Sequence, residues 1–211
     1  FRPEETALFA IFGAISVIMV SIAAPALSVG RNKKNIALGV FLSAVLVGPL
    51  PIFLRLIDPF FPISLFPDNG TELLWWTLMV HFCVQQSLAA LGFIYVGSMA
   101  MEIVEQVQEK TGRREEGLLG SANSMIQKLI AAGGTLIAGL IITISGFDDP
   151  SITEGVKTTT AIVTFSWIHI AIGFFLPLCS TILIAFYDIG RTDHIARVDK
   201  LGYATKSDKA G

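Results

Sequence analysis

The chain has 211 residues, of which 53% are hydrophobic and only 15% charged, and its mean hydropathy is +0.66. Soluble domains carry roughly 25% charge, so lipid is the expected solvent, and a soluble enzyme or a nucleic-acid binder is excluded. The 15 Lys and Arg nearly balance 17 Asp and Glu, and their placement says more than their sum.

Residues 6–30, 35–54, 73–101, 117–147 and 158–187 make up 135 residues with one charge among them, Lys128, whereas the other 76 residues hold 31 charges. A helix crossing a hydrocarbon layer of about 30 Å needs about 20 mainly apolar residues. The pattern predicts an all-α membrane protein with five transmembrane helices and a polar tail over 188–211.

The first span follows Phe1, Arg2, Pro3, Glu4 and Glu5, with no cleavable leader pattern. This start, with an odd number of spans, reads as a piece of a longer polypeptide. The span ends near Pro25 and meets Arg31-Asn32-Lys33-Lys34, a loop short enough to make the second span its antiparallel neighbour. Gly48-Pro49-Leu50-Pro51 interrupts the second span. Proline removes a backbone donor, and a bend near the outer end is expected rather than a broken ligand-binding helix. Residues 57–72, with Pro59, Pro62, Pro67 and Asp68-Asn69-Gly70, read as an irregular outer segment.

At about 100° per residue, His81, Gln85, Gly92, Tyr95 and Glu102 share one stripe of the third span, and Gln86, Ala90, Phe93 and Gly97 share another. At least one stripe must face protein or water. His81 and Cys83, two residues apart, point to different sides of a helix and make no metal pair. Cys83 and Cys179 lie within spans and read as small hydrophobes. The charged segment 102–116 reads as a solvated link. In the fourth span, Gly117, Ser121, Ser124, Lys128, Thr135, Gly139 and Gly146 fall within one sector. Small residues allow close helix approach, and an ionisable group at depth costs at least about 3 kcal/mol and commonly lines an aqueous pathway. Lys128 either lines such a pathway or snorkels to the inner surface. Beyond the fifth span, Ile195, Val198 and Leu201 are spaced for a short amphipathic helix.

The loops alternate in charge. One side collects 11 basic residues, including Arg31, Lys33, Lys34, Lys110, Arg113 and Arg114, and the other only Arg2, Arg55 and Lys157. The positive-inside rule makes the first side cytoplasmic, with the amino end outside and the carboxyl end inside. Trp75, Trp76 and Trp167 then lie near the outer starts of their spans, where indoles favour the headgroup layer.

Ser98-Met99-Ala100-Met101-Glu102-Ile103-Val104-Glu105, then Lys110-Thr111-Gly112-Arg113-Arg114-Glu115-Glu116-Gly117, then residues 121–128, form a string with a lysine eleven residues after its last glycine. This string resembles the glycoside-pentoside-hexuronide cation symporters, the melibiose-permease-like branch of the major facilitator superfamily. Arg31-Asn32-Lys33-Lys34 is similar to the basic loop between spans eight and nine of that superfamily, and Tyr187-Asp188-Ile189 to the end of span twelve. The resemblance implies that the five spans are numbers eight to twelve of twelve, a carboxyl-terminal transporter half in a plasma or bacterial inner membrane. It implies a solute site at Lys128, Asn123, Ser124, Phe93 and Gln86, and an inner gate at Glu102, Glu105, Arg114 and Glu116. The two acids at 102 and 105 are usually Asp in that family, and the Tyr that often follows the second is Gln106 here. The implied partners are the bilayer, a missing amino-terminal half carrying the acids that bind the cation, a small-molecule solute and a coupling sodium ion or proton. No covalently bound cofactor, no metal centre and no catalytic residue is expected. The implied activity is cation-coupled sugar symport by alternating access. Alternatives are a same-fold carrier of a non-sugar solute such as a lysolipid, with Lys128 gripping an anionic headgroup, and a non-transporting membrane subunit.

Overall fold

A computed structural model of the chain describes residues 3–113, 115–148 and 159–188. Arg114 and the tail positions Ile195, Val198 and Leu201 lie outside the described residues. The helices are α1 (Pro3–Ser28), α2 (Lys33–Val47), α3 (Leu50–Ile57), α4 (Glu72–Thr111), α5 (Glu116–Ile144) and α6 (Thr159–Ala185), with a 3-10 turn at Asp58–Phe60. No strand occurs among the described residues. Among the described residues, five segments are long and apolar enough to cross a membrane, with α2, α3 and the turn counting as one. The all-helical expectation holds.

Local chemistry sets the helix ends. Asn32 caps α2, its Oδ1 accepting from the Lys34 amide at 3.1 Å, and Thr71 Oγ1 accepts from the Leu74 amide at 3.2 Å to start α4. These side chains satisfy amides that the first turn leaves without intrahelical partners. Gly112, at φ 71°, stops α4 in the left-handed conformation that glycine adopts without a Cβ clash. Between α2 and α3 the missing Pro49 amide interrupts the ladder, but Gly48 still donates to Ala44 O at 2.9 Å and Phe53 to Pro49 O at 2.9 Å. The hydrogen-bond ladder thus resumes directly past the proline, and α2 and α3 together make one membrane-length segment.

The outer segment folds around Asp58, whose carboxylate accepts from the Leu65 and Phe66 amides. At the other end, α4 does not stop at the charged link. It runs 40 residues to Thr111, about 60 Å, so its last ten residues form a helical extension of the third span.

Packing is centred on α4, which meets α1 and α2, while α6 lies against α2. The inner core gathers Ala37, Tyr95 and Met99, with Leu91, Ile184 and Tyr187 packed around them. Elsewhere large apolar side chains stand open, among them Ile11, Ile18, Met19 and Ile22 of α1. Hydrocarbon tails solvate such groups at no cost, and helices alone satisfy the backbone there.

Candidate functional site

Of the two stripes on α4, the first faces protein. Gly92, Tyr95 and Glu102 are buried, and His81 and Gln85 are half-buried. Against α1, Tyr95 donates to Ala24 O at 2.8 Å, and Ser16 Oγ donates to Gly13 O at 2.8 Å and to Cys83 O at 3.3 Å. A Cβ on Gly13 would sit 2.6 Å from Phe82 Cε1, so this seam closes only over a residue without a side chain. Against α2, Gly92 lies under the Phe41 ring, where a Cβ would come within 3.4 Å.

The second stripe is open. Gln86 is exposed, and Phe93 is 74% exposed. Both line an open groove of about 590 Å³ between α2, α4 and α6, whose walls also include Phe41, Gln85, Leu176 and Ser180. Prolines border it from two helices: Pro177 lies in the wall, and a Cβ added to Gly173 of α6 would come within 3.9 Å of Pro49. A ring face beside two side-chain amides on a mainly apolar wall suits a ligand with one hydroxyl-bearing and one apolar surface.

Lys128, Asn123 and Ser124 are not in this groove. They are exposed on α5, a helix with no buried residue. Ser121 and Thr135 satisfy their hydroxyls on Leu118 O (2.8 Å) and Ala131 O (3.1 Å) of their own helix. Just past α5, Phe147 packs edge-on to Phe165 of α6 at 5.5 Å. Of the five residues implied for the solute site, Gln86 and Phe93 therefore come together, and the three on α5 do not join them.

The inner end departs from a solvated link. Glu102 is 5% exposed. Its Oε1 accepts from Lys33 Nζ at 2.7 Å, and its Oε2 accepts from the Tyr187 hydroxyl at 2.7 Å. Tyr187 also lies 3.3 Å from Met99 O. Glu102 is thus tied to the start of α2 and to the chain just beyond α6. Glu105 is half-buried and Glu116 is exposed at the start of α5, and Arg114 lies outside the described residues. Lys33 and Tyr187 were missed as members of this cluster. The available signal was their position, since Lys33, Glu102 and Tyr187 each stand at the end of an apolar stretch on the same side of the predicted layer.

The family model for the MFS/sugar transport protein family matches residues 2–191. No curated protein and no solved structure matches the chain.

Proposed function

The chain belongs to the MFS/sugar transport protein family, and we propose that it is the carboxyl-terminal part of a cation-coupled symporter of a sugar or related small solute. It is a multi-pass membrane protein of transport, with five membrane-length helices. In this reading the spans are numbers eight to twelve, the amino end faces outward and the carboxyl end the cytoplasm, in a plasma or bacterial inner membrane. A further transporter half supplies the acids that bind sodium or a proton. Two halves rock about a site near the midplane, and no bond is made or broken.

The observation that carries the reading is Lys128, the one charge of residues 117–147, on a helix that buries nothing against its own half. An ammonium at that depth needs water or a partner, and an opposing half provides both. The depths also support one site. Lys128 lies 12 residues from Glu116, about 18 Å, and Phe93 nine residues from Glu102, about 13 Å. Both levels are near the middle of a layer about 30 Å thick. Solute hydroxyls would meet Gln86, Asn123 and Ser124, a ring face would meet Phe93, and Lys128 would exchange charge partners as the cation and solute come and go.

A second reading, a carrier of an amphipathic solute such as a lysolipid, is favoured by one feature, the mainly apolar wall of the groove at Phe93. Lys128→Met in the full-length protein tests the first reading. Expected are normal membrane abundance and loss of uphill sugar uptake, with Lys128→Arg restoring it only in part because a planar guanidinium differs in shape and donor geometry. Wild-type uptake by Lys128→Met would remove this lysine from the site. Uptake of a labelled lysolipid but of no sugar would favour the second reading.

A further inference from the structure

Glu102 is buried with both carboxylate oxygens engaged inside its own half, one by Lys33 and the other by Tyr187. A carboxylate so placed cannot reach across to an opposing half unless one of these bonds opens. The two bonds differ in kind. The Lys33 side chain is 31% exposed and can exchange its partner with water or another acid. The Tyr187 hydroxyl approaches from the core cluster, where its ring packs beside Ala37 and Met99, and a neutral phenol stays bound to Glu102 when the cation leaves. A donor to a carboxylate is roughly twice as effective as one to a neutral acceptor.

We propose that Tyr187 is a positioning residue for the inner gate. Its hydroxyl holds Glu102 turned into its own half, so that Lys33 is the mobile member of the pair and Glu102 its fixed anchor. The proposal rests on the transporter reading for its consequence, but the clasp itself does not depend on it. The stretch of α4 around Glu102 and the chain just beyond α6 then move as one body when the half rocks, and the gating charge that changes partner is the lysine of α2.

Tyr187→Phe in the full-length protein removes the hydroxyl and keeps the ring. In proteoliposomes, Glu102 is modified with a water-soluble carbodiimide and an amine and quantified by mass spectrometry, and initial rates of sugar uptake are measured in parallel. Loss of one hydrogen bond to a carboxylate raises the released population by about tenfold. Modification of Glu102 is expected to rise by about that factor, with Glu72 at the outer end unchanged as reference, and the maximal uptake rate to fall while KM stays within about twofold. Unchanged modification would overturn the proposal, as would a rise shared by Glu72, which signals a lost fold. Raised modification with an unchanged maximal rate would leave a clasp without a role in gating and would also overturn it. Because modification needs no solute, wild-type protein that accumulates no sugar would count against the transporter reading alone.

Discussion

Replacing Lys33 with Met leaves Glu102 as a buried carboxylate with the Tyr187 hydroxyl as its remaining partner in the clasp. Removing one member of a fully buried pair costs about 3–5 kcal/mol, and of an exposed pair at most about 1 kcal/mol. Glu102 is 5% exposed and the Lys33 side chain 31%, so the cost lies between these limits, about 2 kcal/mol. Glu102→Gln keeps the shape, can still meet Tyr187, and strands the ammonium, which is partly hydrated, so it should cost less, about 1 kcal/mol. In the double variant neither charge remains to be stranded. Its cost should stay near that of Lys33→Met alone, with a coupling of about 1 kcal/mol or more from the cycle. The measurement is denaturant-induced unfolding of the four proteins in mixed micelles, followed by Trp fluorescence. Additivity within about 0.5 kcal/mol would refute the pairing and return Glu102 to a solvated surface.

Gly13→Ala places a methyl against the Phe82 ring edge, and that ring is itself held edge-on to Phe9 at 5.7 Å. Overpacking of this kind costs about 1–3 kcal/mol, and Phe82→Leu should recover part of it; a neutral Gly13→Ala in the same unfolding assay would show that the α1–α4 seam has slack. Cysteines introduced at Asn69 and Ser207 should react with an impermeant maleimide from outside and inside respectively, and the reverse pattern would overturn both the sidedness and the span assignment.

The five spans were legible because charge is excluded from them almost completely, and because lipid imposes length and apolarity on each crossing independently of its neighbours. The interruption at Pro49 was legible for a similarly local reason, a missing amide. The α4 stripe that packs was legible as a pair of alternatives, and tertiary contact chose between them: Gly92 admits Phe41, while Phe93 one residue on is left open. What was not legible is the fate of the charges at 102–111. A mixed-charge run signals water, yet good helix formers between Glu102 and Thr111 continue α4, and Glu102 falls on the buried side of that extension. Its partners Lys33 and Tyr187 lie 69 and 85 residues away, a separation at which no local pattern carries pairing information. The residues on α5 were placed by resemblance and sequence spacing, and Lys128, Asn123 and Ser124 stand exposed there, apart from the groove that Gln86 and Phe93 line.

The continuation of α4 past Glu102 makes it a lever. From Phe93 to Thr111 the helix extends about 27 Å, and to Glu102 about 13 Å. A rigid tilt of about 10° around the level of Phe93 would carry Glu102 sideways by roughly 2 Å and Thr111 by nearly 5 Å. A modest change of angle at the level of Phe93 would therefore become a sideways shift of about 4 Å for Glu109 and Lys110 at the tip.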